Sequence, residues 1–301
     1  SGRIEQLMPG VNLGAYLMLM NGNRQWFSVR RGEDLDTVKV SSFKPGFIAE
    51  MSGNNFDLFF ETAFRSNLIK DVDSLYSVTA NKWYPYDSKQ SGRGLYFSGS
   101  FFPGQWGVTV ELKDYLFDTS SPEKRVHLPF RLGRSSLVYG PPSGFREHTS
   151  TLLSRTPHIM DPEDELGFQI EFNSQVNDNL FLIVNYARSS RHSAFVNEVD
   201  EQYNSTLRKK DHTKVFVPST DNGFYPFHEG YAEVNYRYDQ LMFSTGLSHS
   251  SEVMLYGALN VYGAGSSGWE SEHSKLSEFF ERRNLISIPS ELTLGLPRGF
   301  N

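Results

Sequence analysis

A group of basic side chains lies between residues 131 and 158, in one long connection between predicted strands. Its members are Arg131, Arg134, Arg146, His148, Arg155 and His158. A loop that folds into a channel can use such a group as an electropositive constriction that selects anions. The alternative is a solvated loop whose arginines pair with Glu147 and Asp161, since exposed ion pairs carry little energy. The spacing leaves both interpretations open.

Catalytic and metal-binding patterns are sparse. Glu147-His148 is the nearest approach to an acid–base pair, but a hydrolase needs a nucleophile in contact with its base, and no Gly-x-Ser-x-Gly motif occurs. Asp71 and Asp73 resemble the start of a calcium loop whose glycine and later carboxylates are missing. The chain has no cysteine, which excludes thiolate ligands and nucleophiles. We therefore expect no enzyme activity, cofactor or metal, and we interpret the histidines at positions 127, 192, 212, 228, 249 and 273 as ordinary loop residues.

A second set of polar side chains lies inside the predicted strands, at alternate positions. These residues are Glu111, Lys113, Gln169, Glu171, Glu233 and Arg237. A charge that faces lipid at the membrane midplane costs roughly 2–4 kcal/mol, whereas a charge that faces water keeps its hydration. One face of each strand must therefore be wet, and we predict that these six residues line a lumen.

The elements that carry them are β-strands, because apolar and polar residues alternate with a period of two. From Phe56 to Phe64 the even positions read Phe, Leu, Phe, Thr, Phe, and similar series begin at Trp106, Glu165 and Ala232. These segments approach the length of about 9–11 residues that a tilted membrane strand requires. Strands of soluble proteins average about five or six residues.

Composition favours the same class. The 301 residues include 24 Phe and 15 Tyr, although the mean hydropathy is only -0.44. A membrane barrel needs aromatic girdles and a polar lumen, which explains both values; an aromatic-rich soluble β-sandwich is the alternative. A formal net charge of -6 argues against nucleic acid as a partner. No run of about 20 apolar residues occurs, which excludes a transmembrane helix.

Short polar turns and long connections alternate along the chain. Turns are predicted at residues 102–105, 176–179 and 238–240, where Pro, Gly, Asn and Asp supply tight-turn geometry. Long connections are predicted at residues 69–93, 118–164, 189–225 and 263–284, and helical spacing in the last predicts a short helix from Ser274 to Arg283. At about 20–25 residues per strand and connection, we predict one antiparallel transmembrane β-barrel domain over residues 1–301, with about 12–14 strands, short turns on one rim and long loops on the other.

Several segments resemble a family of Bacteroidota outer-membrane β-barrel proteins of uncharacterised function. The segments are 92–101 (GRGLYFSGSF), 107–115 (GVTVELKDY), Pro141-Pro142, 146–149 (REHT), 152–155 (LLSR), 165–171 (ELGFQIE) and 231–237 (YAEVNYR). The resemblance covers roughly residues 55–237. It implies an export signal and a location in the bacterial outer membrane, and it supplies no catalytic residues. Family members are longer than this chain, which leaves open that the chain is part of a longer protein.

Three functions follow as hypotheses. The first is a porin-like barrel in the lipid bilayer of the outer membrane that passes small polar solutes. The second is a scaffold subunit that presents its long loops to other outer-membrane proteins. The third is a soluble β-sandwich that binds carbohydrate through exposed Trp and Tyr. We favour the porin-like barrel because it requires no additional partner.

Overall fold

The computed structural model describes residues 2–8, 10–27, 35–77, 82–117, 164–199, 205–212, 216–255 and 280–295. Within them the protein is all-β, with one 3₁₀ turn at Asn222–Phe224. The strands are β1 Gly2–Met8, β2 Val11–Phe27, β3 Leu35–Ser52, β4 Phe56–Ser77, β5 Lys82–Phe101, β6 Trp106–Phe117, β7 Asp164–Asn177, β8 Leu180–Ser190, β9 Ser193–Val199, β10 Ser205–Asp211, β11 Phe227–Tyr238, β12 Leu241–Leu255, β13 Phe280–Ser287 and β14 Ser290–Leu294.

Twelve of these strands form one antiparallel sheet in the order β1 to β8, β11, β12 and β13, with β14 also paired to β12. The pairs Ser248–Ser287 and Thr245–Ser290 belong to one register, so β13 and β14 occupy a single strand position. Pro289 interrupts that position because proline has no N–H for the ladder. The predicted all-β antiparallel class is therefore confirmed. No pairing among the described strands joins β1 to β13 or β14, so closure into a barrel stays a prediction.

The short turns gather at one edge of the sheet, which we call the turn edge. The predicted turns at residues 102–105, 176–179 and 238–240 are confirmed as the joints of β5–β6, β7–β8 and β11–β12. Gly104 has φ 137° and Asp239 has φ 51°, values in the left-handed region that Gly and Asp tolerate best. The described parts of the link from β8 to β11, residues 191–199, 205–212 and 216–226, lie at the opposite edge, the long-connection edge.

Two predicted connections are wrong in part. Residues 69–93 are mostly strand, because β4 continues to Ser77 and β5 starts at Lys82. The helix predicted from Ser274 to Arg283 is wrong at its end, where Phe280 begins β13 and pairs with Leu255. Cross-strand pairing overrides the local helical spacing there. The 118–163 and 256–279 segments, with Arg131, Arg134, Arg146, His148 and Arg155, lie outside the described residues.

The distribution of polar and apolar side chains is the reverse of that in a soluble sheet. The face that carries Phe60, Ile170 and Leu247, the apolar face, is open: Leu19, Leu247 and Ile286 are 66%, 55% and 68% exposed. The face that carries Glu61, Lys113 and Gln169, the polar face, is crowded, and these three are 7%, 4% and 6% exposed. Register keeps the faces separate across strands, since Ile170 pairs with Val110 and Tyr186.

Two glycines on the polar face, Gly46 and Gly246, are covered by tyrosine rings from the adjacent strand. A Cβ atom at Gly46 would overlap the Tyr16 ring, and one at Gly246 would lie 3.0 Å from the Tyr231 hydroxyl. Glycine within a strand permits a sharp bend. The crowding of one face and the openness of the other indicate that the sheet curves toward its polar face. No helix among the described residues is long and apolar enough to cross a membrane.

Candidate functional site

All six side chains predicted to line a lumen lie on the polar face. Glu111 pairs with Gln169, and Glu171 lies two residues farther along β7, opposite Thr109. Lys113 is two positions from Glu111 on β6. Glu233 on β11 pairs with Ile183 on β8, which in turn pairs with Asn173, two residues from Glu171, so Glu233 lies on the same face. Arg237 lies at the turn edge, where its backbone N–H donates to Asn179 at 2.8 Å. The structure thus brings residues from three strands onto one surface, and their role in a lumen stays a prediction.

A buried ion pair lies in this surface. The Lys113 ammonium contacts the Glu165 carboxylate, and both side chains are almost completely buried. Glu165 pairs across the strands with Tyr115, next to Lys113. A buried charge without its partner is strongly destabilising, so each of these two residues requires the other. Glu165 was assigned to the polar side of its strand from the sequence, but its ion pair was not predicted.

Tyrosine hydroxyls hold several of the polar-face carboxylates. Tyr16 donates to Glu61 at 2.8 Å, and Tyr96 donates to Glu111 at 2.6 Å. Tyr231 donates to Glu233, which also accepts from the Asn235 amide at 2.6 Å. Hydrogen bonds to ionised groups are stronger than those between neutral groups, and they limit the motion of both side chains. In the sequence, these tyrosines stand at positions of the alternating pattern that belong to the polar face. Tyrosine is usually grouped with the aromatic residues, so the pattern did not predict these hydrogen bonds.

Carboxylates outnumber cations on this face of the main sheet. Among residues whose side chains are described, strand register places ten acidic residues there: Glu50, Asp57, Glu61, Glu111, Glu165, Glu171, Glu229, Glu233, Glu252 and Glu291. It places five basic residues there: Lys44, Arg65, Lys113, Arg237 and Arg283. Acidic linings attract cations and repel anions. The described polar face therefore has an electronegative character.

A second cluster lies at the long-connection edge, on the other face of the sheet. His192 contacts the Asp164 carboxylate through Nδ1 and the Asp114 carboxylate through Nε2, each at 3.1 Å. Its backbone N–H also donates to Asp164 at 3.1 Å, and Arg93 donates to Asp114 at 3.2 Å. The cluster therefore balances two carboxylates against one guanidinium and one imidazole.

The two carboxylates determine the charge of His192. Burial by itself lowers the pKa of the imidazole, but hydrogen bonds to Asp114 and Asp164, together with their negative charges, raise the pKa to about 9. His192 is therefore an imidazolium at neutral pH. The prediction that His192 is an ordinary loop residue is therefore wrong. The sequence could not correct it, because residues 114, 164 and 192 meet only in the folded sheet.

The described part of the connection from β8 to β11 is held by hydrogen bonds next to this cluster. Ser190 accepts from the Ser219 N–H at 2.8 Å, and the Arg191 N–H donates to the Phe224 carbonyl at 2.8 Å. Asp221 caps the 3₁₀ turn by accepting from the Gly223 N–H at 3.0 Å. A hydrogen bond from Lys210 to Asp221, at 2.8 Å, holds the pKa of that carboxyl below its usual value. No group of three or more His, Cys, Asp or Glu side chains in the described part of the chain is placed to hold a metal ion.

Comparisons with known proteins add little to this geometry. No family model matches the chain, and no curated protein matches it. Two solved structures show some similarity, and both are outer-membrane β-barrel proteins. A FadL homologue from Pseudomonas aeruginosa is 11% identical over 81% of this chain and 57% of its own, with a TM-score of 0.29. Salmonella typhi OmpF, in a complex with daunomycin, is 9% identical over 96% of this chain and 100% of its own, with a TM-score of 0.27. Values this low support no conclusion about function, and the chain spans little more than half of the FadL homologue.

Proposed function

We propose that this chain is an outer-membrane β-barrel whose polar face lines a water-filled passage for small polar solutes. The observation that carries the proposal is the reversal of faces: large apolar side chains such as Leu19 and Leu247 are open, while Glu61, Lys113 and Gln169 are enclosed. In water such an arrangement is unfavourable, because exposed apolar surface raises the free energy of the folded protein. A bilayer favours it, since acyl chains cover the apolar face and the polar face keeps its water.

The height of the apolar face agrees with a membrane. On β4 the apolar face runs from Phe56 to Phe64, and on β3 it runs from Phe43 to Met51, nine residues in each case. Nine residues at about 3.3 Å each extend about 30 Å along the strand. A strand tilt of about 40° reduces this to about 23 Å, close to the apolar band of about 25 Å found in outer-membrane barrels. Ser66 on β4 and Ser41 on β3 follow at the next positions of the same face.

The excess of carboxylates supports a preference for cations. Glu111 and Glu171 interact electrostatically on adjacent strands, and the other acids of the polar face extend this negative surface. Rings of Asp and Glu select cations in channels. An anion-selecting constriction built from Arg131, Arg134, Arg146, His148 and Arg155 would act in the opposite sense. A preference for cations would therefore support selection by the acidic polar face, and a preference for anions would support the constriction.

The experiment is reconstitution of the purified protein into planar bilayers with a gradient of KCl. We expect stepwise conductance and a reversal potential of the sign for potassium preference. The variant Glu111→Gln/Glu171→Gln should move that potential toward zero. The turn variant Asp178→Asn removes a carboxylate at the turn edge and should change it less. Recovery of the protein in the soluble fraction without detergent would overturn the membrane proposal and favour a soluble carbohydrate binder.

A scaffold role remains the alternative within the membrane. Stable insertion without conductance, together with co-isolation of another outer-membrane protein, would favour it. The proposal includes a single domain over residues 1–301, no catalytic activity, and membership of the Bacteroidota outer-membrane family that the sequence resembles. The most direct test of the transport function is a structure at near-atomic resolution in detergent. A closed circle of strands with an open path along the polar face would support it.

A further inference from the structure

We infer that the long-connection edge of the apolar face binds the phosphate group of an anionic membrane lipid through Arg188, His228, His249 and Arg282, which we call the basic row. The inference rests on the proposed membrane location but not on an open passage. It concerns the face opposite to the one that would carry solutes. The four residues come from four strands that are adjacent in the sheet: β8, β11, β12 and β13.

Strand register places the row on one face. Arg188 pairs with His228, which pairs with Ser251 on β12. His249 is two residues from Ser251, and Arg282 pairs with Val253, two residues beyond it in the other direction. The side chains approach one another, since the His228 and His249 rings are 5.8 Å apart. His228 also interacts electrostatically with Arg188 and Arg282.

The row lies directly next to the apolar band. Tyr186, two residues from Arg188 on β8, and Ile286, which pairs with His249, are both exposed. A lipid whose acyl chains cover these residues would bring its headgroup to the level of the row. Phosphate is the common anionic group at that depth, and Arg binds it with two parallel hydrogen bonds.

Among the described residues, no carboxylate on the same face balances the positive charge of the row. Within the described part of the chain, neither Arg188 nor Arg282 forms an ion pair with a carboxylate. Arg282 is instead held by neutral oxygens, donating to Asn222 at 3.0 Å and to Ser251 at 3.4 Å. The neighbouring Glu229 and Glu252 lie on the polar face, since their positions alternate with those of His228 and Ser251. The cluster around His192 differs in this respect, because its two carboxylates neutralise its two cations.

The test is a titration of the full-length protein, in micelles of an uncharged detergent, with phosphatidylglycerol or phosphatidylcholine, followed by native mass spectrometry of bound lipid. We expect preferential binding of phosphatidylglycerol. Each basic residue at a membrane surface contributes about a factor of five to the affinity for anionic lipid. The variant Arg188→Gln/Arg282→Gln should therefore bind phosphatidylglycerol about 25-fold more weakly. Arg237→Gln makes a single such change on the polar face at the turn edge and should bind it like the unmodified protein.

Three further results decide the inference. Arg188→Lys/Arg282→Lys should restore most of the affinity, which separates loss of charge from loss of folding. Equal binding of both lipids, or unchanged binding in the Gln variant, would overturn the inference. Binding of inorganic phosphate with the same dependence on the two arginines, but without preferential binding of phosphatidylglycerol, would also overturn it and indicate a site for free phosphate. Lipid binding without conductance would contradict only the transport proposal, whereas failure to enter micelles would contradict both.

Discussion

The imidazolium of His192 makes the connection between β8 and β11 sensitive to alkaline pH. Because its pKa is raised from 6.5 to about 9 in the folded protein, its contribution to stability is fully present below pH 6.5. The contribution is lost as the pH rises through about 9. A pKa unit corresponds to about 1.4 kcal/mol, so the shift is equivalent to about 3 kcal/mol at most.

The assay is hydrogen–deuterium exchange of residues 191–226 between pH 6 and pH 10, after correction for the intrinsic dependence of exchange on pH. We expect the protection of this connection to decrease above pH 8, whereas protection of the β2–β3 pairing, which contains no residue of the cluster, should remain constant. His192→Gln should show low protection at every pH, because the cluster would then hold two carboxylates, Asp114 and Asp164, against the single positive charge of Arg93. Constant protection of the connection from pH 6 to pH 10 would refute the charge assignment.

Three other perturbations test the assignment of faces and contacts. Leu247→Arg places a charge on the apolar face and should destabilise the inserted protein by roughly 2–4 kcal/mol in denaturant titrations from detergent or lipid; no loss would contradict burial in acyl chains. Gly46→Ala should lower stability by about 1–3 kcal/mol because its Cβ would overlap the opposing tyrosine ring, whereas Gly22→Ala, with nothing within 4 Å of its Cβ, should not. Lys113→Met should cost about 3–5 kcal/mol by removing the cation in contact with the buried Glu165 carboxylate, and Lys113→Met/Glu165→Gln should recover much of it; equal losses in both variants would contradict the ion pair.

The strands and their two faces were predictable because they depend only on local geometry. Successive side chains of a strand point to opposite sides whatever the strand pairs with. The series from Phe56 to Phe64 therefore identifies the apolar face before any partner strand is known. The same reasoning placed Glu111, Gln169 and Glu233 on one surface. Short turns were predictable for a similar reason, since Gly104 and Asp239 supply backbone angles that most residues avoid.

The lengths of the strands were not predictable. From residue 69 to residue 77 the polar residues no longer alternate with apolar ones, yet β4 continues and pairs with β5. Backbone hydrogen bonds require no particular side chain, so pairing persists after the alternation has ended. The start of β13 at Phe280 has the same explanation. The edge of β12 offers unpaired backbone groups, and pairing with them determines the conformation of Phe280 more strongly than the helical spacing of its side chains.

The sequence by itself determined that the chain is built of extended segments with one apolar and one polar side, and that tight turns join many of them. Only the tertiary structure decided which polar groups meet. His192 joins Asp114 and Asp164, Lys113 joins Glu165, and the basic row assembles from four strands. The physical reason is that alternation depends on neighbouring residues, whereas these contacts depend on the register between strands that are far apart in the chain.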